Sequence, residues 1–95
     1  MKNKSMISAN LTGKVVLITG ASSGLGAYYA EMLSNNNATV IVSGRDIEKI
    51  NKVIGKIKNA YALQLDMCDF KSFNRKVNEI VHQYGSIDVF MDIEV

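Results

Sequence analysis

The sequence has little of several residue types that define common protein classes. Its 95 residues include one cysteine, Cys68, and one histidine, His82. One cysteine excludes an internal disulfide framework, and His82 has no potential ligand at metal-binding spacing, so we expect no metal site. The absence of any run of about 18 apolar residues excludes a transmembrane helix. The N-terminus also lacks the apolar stretch of about 7–15 residues that a secretory signal needs.

An excess of charge of one sign is also missing. Eleven Lys and Arg residues against nine Asp and Glu residues give a net charge of +2. This excess is too small to indicate a nucleic acid or a membrane surface as partner. Hydrophobic residues make up 47% of the chain and charged residues 21%, which is typical of a globular protein. The length suits about one small domain, and the default location is the cytoplasm.

Short apolar runs rich in β-branched residues alternate with helical stripes along the chain. Predicted strands lie near residues 15–18, 39–43, 61–65 and 87–91, and predicted helices follow the first three of them. Asp46 and Asp69 are the expected N-caps of the second and third helices. This α/β alternation predicts a partial doubly wound parallel sheet, with about four strands in the order 3-2-1-4 and three helices.

A glycine-rich turn lies where the first strand meets the first helix. Residues 19–26 read TGASSGLG, with glycines at positions 20, 24 and 26. A diphosphate needs backbone N–H donors and the positive end of a helix dipole, and glycine lets the backbone approach the phosphate closely. The turn is therefore a candidate phosphate site. The alternative is an ordinary tight connection between a strand and a helix.

The segment Gly13–Gly26 resembles the start of the short-chain dehydrogenases/reductases. The resemblance continues through residues 43–45, 65–67 and 85–89, so it covers nearly the whole chain. It implies a Rossmann-like fold and a nicotinamide dinucleotide as cofactor. It also implies that the phosphate-binding turn is formed by Gly20, Ser22, Ser23, Gly24, Leu25 and Gly26.

The residues after the second strand indicate which dinucleotide is preferred. An acidic side chain there accepts from the ribose 2′-hydroxyl of NAD, whereas an arginine accommodates the 2′-phosphate of NADP. This chain has Gly44 and Arg45, and a guanidinium suits a phosphate by charge and geometry. We therefore predict that NADP(H) is preferred over NAD(H). The alternative is that Arg45 is a solvated loop residue beside the Asp46 cap.

Two residues after the third strand are candidates for binding the adenine. In the family that the chain resembles, an Asp at the place of Asp66 bonds the adenine amino group, and the next backbone N–H, here that of Met67, meets the ring. The alternative is that Asp66 only ends the strand.

The catalytic residues of that family are missing from the sequence. Its chemistry needs a Tyr-x-x-x-Lys pair and an upstream Ser, and the residues four positions after the four tyrosines are Met32, Leu33, Leu65 and Asp88. No residue is therefore predicted to be catalytic, and we expect the chain to be inactive by itself. The family's Asn-Asn-Ala-Gly stretch is also absent at the fourth strand.

These features divide the chain into a flexible leader (1–12), a partial NAD(P)-binding domain (13–91) and a divergent tail (92–95). The first hypothesis is an N-terminal NADP(H)-binding fragment of a reductase whose full-length form transfers hydride between NADPH and an alcohol or carbonyl substrate. The alternatives are a non-catalytic dinucleotide-binding or interaction module and a non-functional truncated remnant. Because the fourth strand would be an edge with unpaired backbone groups, we also expect self-association there.

Overall fold

The computed structural model describes residues 10–20, 24–66 and 68–93. The elements are β1 (Val15–Thr19), α1 (Gly24–Asn35), β2 (Thr39–Gly44), α2 (Ile47–Ile54), β3 (Ala60–Gln64), α3 (Phe70–Tyr84) and β4 (Val89–Asp92). The four strands form one parallel sheet in the order β3-β2-β1-β4. The predicted fold class, strand order and number of helices are confirmed.

The helices cover both faces of the sheet because β1 and β2 are apolar on both sides. Val16, Ile18 and Val40 pack on one face with Leu33 of α1 and Ile50 of α2. Alternate side chains of the same strands pack on the other face with Ile80 of α3. All five residues of β1 are buried. This burial is typical of a central parallel strand.

The local stop signals explain where the helices begin and end. Asp46 and Asp69 are the N-caps of α2 and α3, as predicted, and their carboxylates accept from backbone N–H groups of the following turn. Asn37 adopts a left-handed φ of 75° shortly after the end of α1, a conformation that asparagine tolerates and that helix C-termini often need. Ile50, Ile54 and Ile57 have helical spacing in the sequence, but α2 ends at Ile54. Ile57 still packs on the core from the next turn.

Asp88 attaches the start of β4 to the start of β1. Its carboxylate accepts from the Val15 backbone N–H at 2.8 Å and from the Ser86 hydroxyl at 3.0 Å. These donors, the Val15 N–H above all, hold the pKa of Asp88 below its ordinary value, and the Lys14 charge acts in the same direction. Asp88 thereby fixes the register in which Val89 pairs with Val16.

The two predicted boundary segments lie partly within the described residues. Leu11 packs against the core, and its N–H donates to the Asn36 carbonyl at 2.8 Å, although the sequence assigns it to the leader. Asp92 is the last residue of β4, although the sequence assigns it to the tail. Residues 1–9 and 94–95 lie outside the described residues, so the domain division itself stays a prediction. No helix in the described ranges has the length and apolar character needed to cross a membrane.

Candidate functional site

A cleft of about 500 Å³ opens at the carboxyl ends of the strands. Its volume lies in the range of small-molecule sites, and in open α/β sheets ligands bind at this edge. The cleft brings together the ends of all three strands that carry predicted site residues. It is lined by Thr19, Gly20, Ser43, Gly44, Arg45, Asp46, Lys49, Leu65, Asp66, Cys68, Asp92 and Ile93.

The backbone conformation at position 20 and the close approach of the chain after β4 both require a glycine there. Its φ is +74°, and a Cβ added there would lie 2.0 Å from the carbonyl oxygen of Ile93. The Ile93 N–H also donates to the Thr19 carbonyl at 2.9 Å, so the chain after β4 passes directly over the end of β1. The Thr19 hydroxyl donates to the Asp92 carboxylate at 2.7 Å. The glycine-rich turn therefore begins against the end of β4.

The rest of the predicted phosphate-binding turn is only partly described. Gly24 begins α1, and a Cβ there would meet nothing within 4 Å. Leu25 is 53% exposed, whereas Gly26 is one of the buried residues of α1. Ser22 and Ser23 lie outside the described residues. The contact of this turn with a phosphate stays a prediction.

Arg45 follows β2 directly and is exposed at the cleft. Below it, Gly44 lies close to the core, since a Cβ there would be 3.3 Å from the Ile50 side chain. The Gln64 side-chain amide donates to the Arg45 carbonyl at 3.1 Å, which ties the loop to the end of β3. The Arg45 backbone is thus held between two strand ends.

Asp66 lines the same cleft, directly after the end of β3. The Leu65 N–H before it donates to the Gly44 carbonyl at 2.8 Å, so the ends of β2 and β3 stay adjacent. The Asp66 carboxylate accepts from the Cys68 N–H at 2.9 Å, which shapes the turn into α3. Met67 lies outside the described residues, so the adenine contact predicted for its backbone stays untested.

Among the cleft residues that were not predicted as site residues, Lys49, Asp92 and Cys68 carry reactive or charged side chains. Lys49 lies in the first turn of α2, four residues after Arg45. This position could have indicated Lys49 from the sequence, because the first turn of a helix after a parallel strand lies at the carboxyl edge of the sheet. Asp92 could not be assigned from the sequence, because the family resemblance ends near it.

The parallel sheet, the helices on both faces and the cleft at the carboxyl edge define a Rossmann-like α/β domain. The family model for short chain dehydrogenases matches residues 14–92. The probable tetrahydroxynaphthalene reductase of Zymoseptoria tritici is 34% identical over 87 residues, which cover 86% of this chain and 33% of that protein.

Two solved structures show the same fold. The citronellol catabolism dehydrogenase of Pseudomonas aeruginosa PAO1 superposes with a TM-score of 0.84 at 26% identity, covering 93% of this chain and 39% of that chain. The 3-ketoacyl-(acyl-carrier-protein) reductase of Brucella melitensis, complexed with NADH, superposes with a TM-score of 0.76 at 31% identity. This second match covers 84% of this chain and 33% of that chain.

The chain belongs to the short-chain dehydrogenase family, a family of oxidoreductases that bind nicotinamide dinucleotides. The resemblance identified from the sequence is therefore confirmed. The chain spans about a third of the length of the curated relatives it matches.

Proposed function

We propose that this chain binds NADP(H) in the cleft at the carboxyl edge of its sheet. In the full-length form the same site would serve hydride transfer between NADPH and an alcohol or carbonyl substrate. The observation that carries the proposal is Arg45, an exposed cation directly after β2 at the cleft that also contains the first glycine of the family motif. Gly44 leaves no carboxylate at the position that selects NAD.

Two cations support a phosphorylated ligand on the β2 side of the cleft, whose lining also includes the carboxylates of Asp46, Asp66 and Asp92. Arg45 and Lys49 both line the cleft there. The carboxylate between them in sequence, Asp46, caps α2 by accepting from the N–H groups of Glu48 at 3.1 Å and Lys49 at 3.2 Å. A 2′-phosphate would therefore meet two cations on this side. The NADH in the Brucella structure supports the dinucleotide class and leaves the preference for NADP(H) to experiment.

The sequence indicates that this chain can bind a dinucleotide but cannot catalyse hydride transfer by itself. The 95 residues contain no Tyr-x-x-x-Lys pair, so no positioned proton donor serves the carbonyl oxygen during hydride transfer. We therefore expect binding without turnover from the chain by itself. The nicotinamide would supply the hydride when bound, and the residues of this cleft would hold the adenosine half.

Substitution of Arg45 tests the preference for NADP(H). We expect Arg45→Ala to weaken NADPH binding by about tenfold, the equivalent of one charge-assisted contact, and to change NADH binding by less than about twofold. Nicotinamide fluorescence titrations of both dinucleotides measure the ratio. Lys52→Ala is the control, because Lys52 is an exposed cation of α2 outside the residues that line the cleft. An equal loss for both dinucleotides, or a folded wild-type chain that binds neither, would contradict the proposal.

We further propose that the outer edge of β4 pairs with the same edge of a second copy. β4 is the terminal strand of the four-stranded sheet, so its outer backbone groups have no partner strand among the described residues. Val89 and Phe90 on this strand are 45% and 48% exposed. An exposed apolar edge strand offers a template for strand pairing.

Sedimentation velocity measures this self-association directly. We expect the average mass of the wild-type chain to rise with concentration and Val89→Lys to weaken association by about tenfold, because a charge at the edge opposes pairing. Val81→Lys is the matched control, since Val81 is 41% exposed but lies on α3. A wild-type chain that stays monomeric at every concentration, or equal effects of both variants, would refute pairing through β4.

A further inference from the structure

A second cleft lies beside the cleft in which we propose that the dinucleotide binds. It is situated between the end of β3 and the first turns of α3. Its volume is about 330 Å³, and its lining residues are Arg45, Gln64, Leu65, Asp66, Ser72, Arg75 and Lys76. Arg45, Leu65 and Asp66 line both clefts, so the two clefts are adjacent. The second cleft adds two cations of α3 that the family resemblance does not assign to any role.

The charge balance of the second cleft favours an anion. Three cations line it against one carboxylate, and that carboxylate, of Asp66, accepts from the Cys68 N–H at 2.9 Å. Arg75 also faces Glu79 at 3.8 Å, but both side chains are more than half exposed, and a pair of this kind is weakened by solvent. The positive charge of the cleft is therefore largely uncompensated.

The helix α3 brings its polar residues to one side of the cleft. Ser72, Arg75 and Lys76 are three and four residues apart, so they lie on one face of the helix. The Asp69 carboxylate caps α3 by accepting from the Ser72 N–H at 3.2 Å, which fixes the first turn. Lys76 lines the cleft and is partly buried, so its side chain is less free than that of a fully exposed lysine. At the end of β3, the Gln64 side-chain amide donates a hydrogen bond to the Arg45 carbonyl.

We propose that the second cleft binds a phosphate group, held by Arg75 and Lys76 together with Arg45. Arg45, Arg75 and Lys76 line one cleft, and guanidinium and ammonium groups suit the charge and oxygen atoms of a phosphate. The phosphate has two possible sources, the 2′-phosphate of a dinucleotide bound beside Arg45, which lines both clefts, or a free phosphate ion. Only the first of these sources rests on the proposed dinucleotide function.

Inorganic phosphate is the probe for the site itself. The ¹⁵N-labelled chain is titrated with phosphate and, at matched ionic strength, with chloride, while the amide signals of Ser72, Arg75 and Lys76 are followed. We expect saturable shifts with phosphate alone, and a dissociation constant raised about threefold to tenfold by Arg75→Gln or Lys76→Gln. Lys71→Gln is the matched control, because Lys71 is an exposed cation of α3 outside the cleft. Circular dichroism checks that each variant is folded.

The dinucleotides distinguish the two sources of the phosphate. If the 2′-phosphate occupies the cleft, Arg75→Gln and Lys76→Gln weaken NADPH binding and leave NADH binding unchanged. If the ligand is free phosphate, both dinucleotides bind the variants as they bind the wild-type chain, while phosphate binding is weakened as stated above. Saturable phosphate binding by a chain that binds neither dinucleotide would overturn the proposed function and leave this inference intact. Phosphate shifts no different from those of chloride, with NADPH binding equal in all variants, would overturn the inference.

Discussion

Gly20→Ala should lower the free energy of unfolding by about 3 kcal/mol, the sum of two separate penalties. An alanine at a φ of +74° is strained by about 1–2 kcal/mol. Its Cβ would also lie 2.0 Å from the Ile93 carbonyl oxygen, so the backbone after β4 must move. That movement would break the bond from the Ile93 N–H to the Thr19 carbonyl. Urea unfolding followed by circular dichroism measures the change.

Gly13→Ala separates the two penalties. Gly13 has a φ of +84°, close to that of Gly20, but a Cβ there would meet nothing within 4 Å. We therefore expect Gly13→Ala to cost about 1 kcal/mol, from the backbone strain alone. If both variants lose the same stability, the Ile93 carbonyl relaxes without cost, and the close approach does not explain the need for glycine at position 20.

Ile50→Ala should destabilise the chain by about 2–5 kcal/mol, because it removes a fully buried side chain and leaves a cavity. Ile50 is 0% exposed and is the one buried residue of α2, so it attaches this helix to the sheet. It also packs close to Gly44, which lines the candidate site, since a Cβ added at Gly44 would lie 3.3 Å from the Ile50 side chain. We therefore expect weaker NADPH binding in addition to the loss of stability.

Ile54→Ala is the matched control for this effect. It makes the same chemical change on the same helix, but Ile54 is only partly buried at the border of the core cluster. The expected loss is roughly half of that for Ile50→Ala, because less apolar area is removed from contact. Thermal and urea unfolding of both variants give the comparison. Equal losses would mean that Ile50 does not anchor α2.

The fold could be predicted from the sequence because its signals are local and agree with one another. The run Val15–Ile18 predicts a strand buried on both faces, and the Asp46 and Asp69 caps locate the helices that cover it. The boundaries were less accurate. Ile57 continues the helical stripe of α2, yet it packs on the core from a turn, because an apolar side chain can reach the same core without being helical.

The candidate site could be predicted only in part. Gly20, Arg45 and Asp66 were selected from the sequence, and all three line the cleft of the structure. Lys49 and Asp92 were not selected, because their residue types alone do not indicate a ligand and their place at the cleft depends on the arrangement of the strands. They line the cleft because parallel strands bring their carboxyl ends to one edge, where the first turn of α2 and the end of β4 also lie.

The sequence by itself determined the order of strands and helices, the family motif and the lack of a catalytic Tyr-x-x-x-Lys pair, since each depends on residue type and spacing along the chain. Only the tertiary structure decided which charges share a cleft. The net charge of +2 gave no sign that Arg45, Arg75 and Lys76 line one cleft. Net charge averages over the surface, whereas a binding site depends on the few charges that the fold brings close together.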